Sequence, residues 1–427
     1  MPDLRISGPR LLARLEELAA IGGIDASGAA VADTGCPVSG SARLALTDAD
    51  RAGRDLVVTW MRDLGLDIRI DAIGNVVGVR AAADGSVGAP VMTGSHIDTV
   101  RTGGRYDGNL GVLAGLEVIE TLATAGITTQ RPIGVGFFTN EEGARFSPDM
   151  MGSLVYVGGM TVEDAHDTVG IDGAHVGAEL ARIGYLGSTP CPGDVPHSFV
   201  ELHVEQGPVL EAEGIRLGAV TGVQGISWQE ITIIGESNHA GTTPMSLRHD
   251  AGYAAARIAT FVRELAIEIG HPHVGTVGTI DLHPNLVNVV AGRATITVDL
   301  RNTDEAILAE SERRLVRFLR DLEESEGVLV TARTLARFEP VAFDGSMIEL
   351  VERTAHRLGN TVRRLPSGAG HDAQMLARVC PTAMIFTQSH RGISHNPAEY
   401  TKPDDLVMGA DVLLQVMLEL AGAEATI

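Results

Sequence analysis

A Gly-rich stretch at residues 94–111 carries three side chains that could take part in metal chemistry: His96, Asp98 and Asp107. It follows a short apolar run at residues 89–92 that predicts a buried strand, and an apolar helix is expected after it. His96 and Asp98 lie two positions apart, so on an extended segment they point to the same side. The Asp98 carboxylate could then accept a hydrogen bond from one imidazole nitrogen while the other nitrogen faces a metal. A polar turn is the alternative interpretation, because a His-x-Asp pair alone is a weak motif.

Glu141 and Glu142 form a second candidate, directly after an apolar run at residues 133–138 that predicts another buried strand. Adjacent residues on an extended segment point to opposite faces, so only one of the two should bind a metal. We assign Glu142 as the ligand and Glu141 as the general base that takes a proton from a metal-bound water. Two adjacent acids on their own more often form a solvated turn.

The potential ligands follow predicted strands at widely separated positions: His96, Asp107, Glu142, His203 and His395. Open α/β sheets bind ligands at the carboxyl ends of their strands, so these side chains can converge. Imidazole and carboxylate without thiolate suit Zn²⁺, or alternatively Mn²⁺, Co²⁺ or Ni²⁺. Five ligands are too many for one catalytic zinc ion, but they fit two ions that share a carboxylate. Asp107 is the predicted bridge. His96 and His203 are assigned to one ion. Glu142 and His395 are assigned to the other, and the pair of ions would activate a water between them.

Length and composition limit the classes of function. A chain of 427 residues predicts two domains, each large enough for its own core. Lys and Arg number 33 against 55 Asp and Glu, a net charge of −22 that argues against nucleic acids and anionic membranes as partners. Three widely spaced cysteines match neither a disulfide framework nor a thiolate zinc site, which favours a reducing, cytoplasmic setting. No apolar run reaches the length of a membrane span.

The element pattern predicts an α/β core interrupted by an inserted module. Strand, helix and strand patterns alternate within residues 1–213 and again within 338–427, which indicates a largely parallel sheet. Residues 214–337 instead show the order βαββαβ, typical of a small sheet with two helices on one side. The elements expected in this module are strands at 228–234, 274–282, 287–301 and 328–336, and helices at 247–269 and 304–324.

Motifs along the whole chain resemble those of one enzyme family. They are GSHIDTVRTGGRYDG, TNEEGARF, ELHVEQGPVLE, SNHAGTTPM, NLVNVV, VDLRN, SGAGHDAQ and GISHNPAE. The chain resembles the hydantoinase/carbamoylase family of dinuclear metal-dependent amidohydrolases. This family includes N-carbamoyl-L-amino acid hydrolase, allantoate amidohydrolase and β-ureidopropionase, within the aminoacylase and carboxypeptidase-like metallopeptidase superfamily. The resemblance implies a mixed-sheet metallopeptidase-like catalytic domain with an inserted ferredoxin-like lid and dimerisation domain.

The resemblance implies the same five metal ligands, with Asp98 supporting His96 and Glu141 as the base. It also implies a set of substrate-binding residues, which are Gln206, His239, Asn288, Arg301, Gly370 and His371. Among these, His239 would reach the reacting carbonyl. Asn288 and Arg301 would hold the substrate carboxylate, because the Arg fork matches a carboxylate in a bidentate manner. Without the resemblance, His239 would be interpreted as a loop residue and Arg301 as an ordinary charge at a strand end.

The activity implied is hydrolysis of the ureido C–N bond of N-carbamoyl-L-amino acids, with allantoate amidohydrolase and β-ureidopropionase as alternatives. An aminoacylase or peptidase of the same superfamily is a further alternative, although that branch usually has an acid at the position of His203. A catalytically silent binding protein on the same scaffold is disfavoured by the presence of Glu141 and every ligand. The resemblance also implies two divalent ions per subunit and a homodimer formed through the inserted domain. Residues of that domain could act in their own or in the neighbouring subunit, and the site is expected to be complete only on domain closure.

Overall fold

In the computed structural model, which describes residues 4–424, the chain divides into two units. Among the described residues, the first unit comprises 4–221 and 342–424, and the second is Gly222–Val341. We expected the second unit to begin at residue 214. The observed boundary lies later, because the strand Leu217–Val223 pairs with Thr382–Thr387 in the sheet of the first unit.

Helices and strands are numbered in chain order. The α-helices are α1 Gly8–Ala20, α2 Val31–Thr34, α3 Asp48–Asp63, α4 Asn109–Thr124, α5 Met151–Tyr156, α6 Val162–Asp167, α7 Val176–Ile183, α8 Val209–Glu213, α9 Ala251–Ile269, α10 Glu305–Glu326, α11 Gly345–Arg357, α12 Asp372–Leu376 and α13 Pro403–Ala421. The strands are β1 Gly23–Ile24, β2 Gly40–Ser41, β3 Asp67–Ile70, β4 Val76–Arg80, β5 Val91–His96, β6 Thr128–Thr129, β7 Ile133–Phe138, β8 Ser198–Val204, β9 Leu217–Val223, β10 Gly225–Ile234, β11 Val274–His283, β12 Arg293–Asn302, β13 Leu329–Phe338, β14 Val341–Ala342, β15 Val362–Ser367, β16 Thr382–Thr387 and β17 Ala423–Glu424. Met245–Leu247 and His390–Gly392 form short 3-10 helices. None of the helices in the described part of the chain is both long and apolar enough to cross a lipid bilayer.

The main sheet of the first unit is mixed. Its strand order is β14-β9-β16-β8-β5-β7-β4-β3, with β15 paired to β9. The centre, β16-β8-β5-β7, is parallel, whereas β9 runs antiparallel to β16, β4 to β7 and β3 to β4. The connection between β3 and β4 covers only residues 71–75, which is too short for the crossover that parallel neighbours require. The prediction of a largely parallel sheet therefore holds for the centre alone.

The four central strands are buried at every position, which explains their continuous apolar character. Helix α4, buried along most of its length, packs against β5, β7 and β8, and α13 packs against β8 and β16. Three of the four central strands lead into candidate chemistry at their carboxyl ends. Strand β5 ends at His96, β8 carries His203, and β7 ends three residues before Glu141. The sheet thus delivers these side chains to one edge, as expected for an α/β fold.

The second unit has the predicted βαββαβ order. Its four strands form an antiparallel sheet in the order β11-β12-β10-β13. Helices α9 and α10 pack on one face of it around a core that includes Ile231, Ile233, Ala254, Ile258, Val262, Ile296, Val298, Leu300, Leu308, Leu315 and Leu319.

The two largest errors in the predicted bounds of the second unit concern the starts of a helix and a strand. Helix α9 begins at Ala251 and not at 247, because the Asp250 carboxylate accepts the backbone N–H groups of Gly252 and Tyr253 and so caps the helix. Strand β12 begins at Arg293 and not at 287. The apolar residues before it belong to a loop, in which the side chain of Val287 is fully exposed.

Candidate metal centre

The Asp107 carboxylate lies between three imidazoles at the end of the main sheet. Its Oδ1 is 3.2 Å from Nε2 of His203 and 3.6 Å from Nε2 of His96. Its Oδ2 is 3.5 Å from Nε2 of His395, which is itself 3.3 Å from Oε2 of Glu142. The five predicted ligands therefore come together.

Their potential ligand atoms form two groups. Within each group, the atoms lie within 4.8 Å of one another. One group is His96, Asp107 and His203, and the other is Asp107, Glu142 and His395. This is the grouping expected for two ions bridged by Asp107. The assignment of the residues as ligands stays a prediction.

Backbone carbonyl groups fix the orientation of two of the imidazoles. Nδ1 of His96 donates to the backbone oxygen of Asp98 at 2.9 Å, and Nδ1 of His203 donates to that of Val204 at 2.8 Å. Because Nδ1 carries the proton in both rings, Nε2 is the nitrogen that faces Asp107. Nε2 of His203 also accepts the backbone N–H of Gly108 at 3.1 Å.

The role expected for the Asp98 carboxylate needs correction. It does not accept from His96, which uses the backbone carbonyl of Asp98 instead. The two carboxylate oxygens accept the backbone N–H groups of Glu141 at 3.2 Å and Glu142 at 3.4 Å. The strand ends at His96, so the extended geometry assumed for the His-x-Asp pair stops there. Asp98 supports the centre by joining the β5 loop to the β7 loop.

Glu141 and Glu142 point to different ligand groups, although not for the predicted reason. They lie in a turn and not on an extended segment, since β7 ends at Phe138 and Asn140 has a φ of 57°. Oε2 of Glu141 is 3.3 Å from Nε2 of His96, whereas Glu142 faces the second group. Burial is the main cause that raises the pKa of Glu141 well above its usual range.

Gly108 allows the close approach of the loop to His96. It has a φ of +65°, and a Cβ added there would lie 2.4 to 2.5 Å from three atoms of the His96 ring. Both the backbone conformation and the lack of space require glycine. Gly108 thus serves the fold-back that brings Asp107 next to His96.

Gln206 contacts the candidate metal centre directly. Its Nε2 donates to Oδ2 of Asp107 at 2.9 Å and to Oγ of Ser394 at 3.3 Å. Its Oε1 is buried and has no hydrogen-bond partner among the described residues. We expected Gln206 to contact substrate, and in this structure its amide nitrogen is occupied by Asp107.

Gly370 and His371 lie behind the metal centre. The His371 side chain is 1% exposed, packs edge-on against His203 with ring centroids 4.6 Å apart, and places Nε2 2.8 Å from Oγ of Ser367. Gly370 lies against Met150, whose Cε would be 2.9 Å from an added Cβ. The structure therefore packs the His371 ring against a predicted ligand, where the sequence had suggested a pocket lining.

Glu399 is a residue that the sequence reasoning missed. It is 2% exposed, and its Oε1 accepts the backbone N–H groups of Tyr106 at 3.0 Å and Asp107 at 3.2 Å. Burial, together with repulsion from Asp107, raises the pKa of Glu399 to about 8. The only signal was its position four residues after His395 in the motif GISHNPAE.

The predicted substrate residues of the second unit fall in two places. His239 pairs with Val289 across a β-bridge, which brings it next to Asn288. Arg301 lies on β12, where its guanidinium donates to both oxygens of Asp299 and sits over the Trp228 ring at 5.9 Å. Asp299 and Trp228 were not predicted.

Strand β12 separates these two places. Its first residue, Arg293, pairs with Ile234 at the end that leads to His239, while Arg301 lies eight residues further along. At about 3.3 Å per residue the two ends are roughly 26 Å apart. Within this unit, the structure does not bring Arg301 to His239 and Asn288.

Comparison with known proteins identifies the family. The sequence model of peptidase family M20/M25/M40 matches residues 92–419. The chain belongs to this family. An N-carbamoyl-L-amino-acid amidohydrolase of Rhizobium meliloti is 41% identical over 417 residues, which cover 98% of this chain and 97% of the relative. The allantoate amidohydrolase of Escherichia coli (strain K12) is 37% identical over 359 residues, 84% of this chain and 87% of the relative.

A similar solved structure confirms the fold. The crystal structure of a hydantoinase/carbamoylase family amidase from Burkholderia multivorans is similar with a TM-score of 0.92 and 42% identity, covering 98% of both chains. The resemblance inferred from the motifs and the mixed α/β fold class are therefore confirmed. The lid and dimerisation roles of the second unit stay predictions.

The residues of this M20 chain fit divalent metal ions. The donor set is imidazole nitrogen and carboxylate oxygen, without thiolate. Oε1 of Glu142 is buried without a hydrogen-bond partner in the described part of the chain, which leaves it available as a ligand atom. Burial also raises the pKa of Asp98 to about 6, as expected where acids are crowded away from water. Bound cations would offset the cost of burying these charges.

Replacing Glu399 tests whether it positions Asp107. In Glu399→Ala, the N–H groups of Tyr106 and Asp107 lose their acceptor, and we expect metal affinity to fall about 10- to 100-fold. The measurement is metal per chain by elemental analysis after dialysis against metal-free buffer. Glu399→Gln is the matched control, since it keeps an acceptor oxygen and should retain most of the metal. Equal metal content in Glu399→Ala and the parent would contradict this role.

Proposed function

We propose that this protein is a metal-dependent amidohydrolase that cleaves the ureido C–N bond of N-carbamoyl-L-amino acids, giving the amino acid, carbon dioxide and ammonia. The observation that carries the proposal is the pair of ligand groups sharing Asp107, with the Glu141 carboxylate against one of them. The Rhizobium meliloti relative, named for this activity, supports the choice of substrate. Hydrolysis of allantoate is the second candidate, favoured by the Escherichia coli relative. β-Ureidopropionase is a further alternative on the same chemistry.

Two divalent ions per subunit are the proposed cofactors, with Zn²⁺ preferred and Mn²⁺, Co²⁺ or Ni²⁺ as alternatives. His96, His203 and Asp107 would hold one ion. Glu142 and His395, together with the shared Asp107, would hold the other. When bound, the ions polarise the carbamoyl oxygen and lower the pKa of water.

Glu141 is the proposed general base. It takes a proton from the attacking water and returns it to the leaving nitrogen. Its burial favours the protonated carboxyl, so the group can hold the proton between the two steps. The Asp98 carboxylate bonds the backbone N–H of Glu141 and keeps this side chain beside His96.

Substrate binding is assigned to residues of both units. They are Gln206 in the first unit and His239, Asn288 and Arg301 in the second, whereas the buried His371 and the neighbouring Gly370 support the predicted ligand His203 from behind. We propose that Arg301 and Asn288 bind the substrate carboxylate and that His239 stabilises the oxyanion. Asp299 and Trp228 would hold the Arg301 fork in a fixed orientation.

A homodimer formed through the second unit is the proposed assembly. Arg301 lies roughly 26 Å along strand β12 from the end next to His239, more than a small ureido acid can span. Arg301 and His239 can therefore contact one substrate only if they come from two copies of the chain. Strand β11 supports the same assembly, because it is the edge of its sheet and exposes Val274 and Ile280.

We also propose a cytoplasmic location, consistent with three free cysteines.

Glu141→Gln tests the base. The change keeps the size of the side chain but removes the proton acceptor, so kcat should fall about 10²- to 10⁴-fold. Metal content should stay near that of the parent, because Glu141 is not a proposed ligand. Glu142→Gln is the comparison variant and should instead lose metal. Undiminished hydrolysis by Glu141→Gln would remove its assigned role.

Arg301→Ala tests recognition of the substrate carboxylate. Loss of a charge-assisted bidentate contact should raise KM for N-carbamoyl amino acids about 10- to 100-fold. Arg293→Ala, an exposed position on the same strand, is the matched control and should leave KM unchanged. A urea substrate without a carboxylate should not distinguish Arg301→Ala from the parent. An unchanged KM in Arg301→Ala would argue against the assignment.

Ammonia release from a panel of substrates tests the proposed function itself. Metal-loaded protein is assayed with N-carbamoyl-L- and D-amino acids, N-carbamoyl-β-alanine, allantoate, ureidoglycolate and N-acetyl amino acids, the last by release of amino acid. We expect the highest kcat/KM with an N-carbamoyl-L-amino acid. Preference for allantoate or N-carbamoyl-β-alanine would select the alternative that it names. Preference for N-acetyl amino acids would indicate an aminoacylase, and silence on the whole panel would indicate a binding protein.

A further inference from the structure

Arg43 is a fully buried cation next to the loop at residues 97–108, which carries the predicted ligand Asp107. Its side chain is 0% exposed, and every hydrogen-bond acceptor around its guanidinium in the described part of the chain is a neutral oxygen. Nε donates to Ile97 O at 2.8 Å, Nη2 to Asn109 Oδ1 at 2.9 Å, and Nη1 to Leu18 O at 2.8 Å, Ile21 O at 2.8 Å and Ser41 Oγ at 3.2 Å.

Two of these bonds reach opposite ends of the loop that carries predicted ligands. Ile97 is the residue directly after His96, and Asn109 lies two residues after Asp107. A single rigid guanidinium therefore joins the start and the end of the segment between them. Both contacts are hydrogen bonds to neutral groups, at 2.8 and 2.9 Å. They therefore fix the positions of Ile97 and Asn109 relative to the guanidinium, which a general attraction between charges would not do.

Further bonds fix Arg43 to the same segment. Its backbone N–H donates to Oγ1 of Thr99 at 2.8 Å, and its backbone oxygen accepts the Thr99 N–H at 2.9 Å. The Asn109 side chain in turn donates to the backbone oxygen of Arg105 at 3.2 Å. The side chain of Arg43 also fills the space at Gly53 of helix α3, where an added Cβ would lie 2.8 Å from its Cδ.

A role in stabilising helix α1 explains only part of this arrangement. The Nη1 bonds to Leu18 O and Ile21 O satisfy carbonyl groups at the carboxyl end of α1. The Nε and Nη2 bonds go to Ile97 and Asn109 and do not involve that helix. A buried cation without a hydrogen-bonded carboxylate is costly, and burial lowers the pKa of Arg43 to about 10 even though the charges of Asp50 and Asp98 act to raise it. The group stays charged at neutral pH.

We propose that Arg43 is a positioning residue for the metal centre. By bonding Ile97 O and Asn109 Oδ1 together, it holds His96 and Asp107 at the separation at which both can bind one ion. This inference rests on the proposed function, because it takes the ligand set from there. Arg43 itself contacts neither substrate nor metal.

Arg43→Lys tests the proposal, since lysine keeps the charge but its single nitrogen cannot reproduce the fork. We expect the ion at His96, Asp107 and His203 to bind about 10- to 100-fold more weakly, and the absorption spectrum of the Co²⁺-loaded protein to change. Leu15→Ala, a buried position on helix α1, is the control for a merely structural effect. It should lower the Tm of the metal-free protein and leave the affinity and the spectrum as in the parent.

Asn109→Ala is the milder second variant, because it removes one acceptor on the loop and leaves the bonds of Arg43 to helix α1 in place. It should weaken the same ion in the same direction. Parent affinity and spectrum in either Arg43→Lys or Asn109→Ala would overturn the positioning role. An error in the proposed ligand set would give a different result from an error in the role of Arg43. If the parent does not bind two ions, or if His203→Ala still binds both, the ligand set is wrong and this inference is wrong with it.

Discussion

The contact of Asp107 with three imidazoles is the interaction on which the rest of the structure around the site depends. A carboxylate buried to 3% exposure must have its charge compensated, and the Nε2 atoms of His96, His203 and His395 surround it from both sides. These histidines come from β5, β8 and the loop before α13, so the parallel centre of the sheet is what brings them together. Gln206 donates a hydrogen bond to the Asp107 carboxylate, and the backbone N–H of Asp107 donates one to Glu399. Together these bonds hold Asp107 in place.

Much of this arrangement could be predicted from the sequence. His96, Glu142 and His203 follow or lie on apolar strands, and the general rule for strand ends in α/β sheets was enough to group them. The βαββαβ order of the second unit was equally accessible, because its strands and long helices have distinct periods. The antiparallel pairing of β9 with β16 was not, since these strands are far apart in the sequence, whereas the short connection at residues 71–75 already indicates that β3 and β4 are antiparallel.

The supporting contacts could not be predicted, and the reason is physical. Backbone atoms make several of them: the Asp98 carbonyl bonds His96, and the Glu399 carboxylate bonds main-chain N–H groups. Such partners depend on the path of the loop and leave little trace in residue type. Arg43 is a case of the same kind, because a single Arg after a Gly-rich segment suggests nothing about the carbonyl group it will meet. The motif resemblance marked positions such as Arg301 but not Asp299, which holds it.

Gly108 has a consequence for how such a site can diverge in evolution. Its N–H bonds one predicted ligand, and the space where its side chain would be is filled by the ring of another. Position 108 is therefore closed to every other amino acid as long as both histidines are kept. Change in substrate preference between relatives, such as that between a carbamoyl amino acid and allantoate, has to arise at positions other than 108. The loop before β12, which exposes Val287 and carries Asn288, contains no predicted metal ligand, so its residues can change without the loss of one.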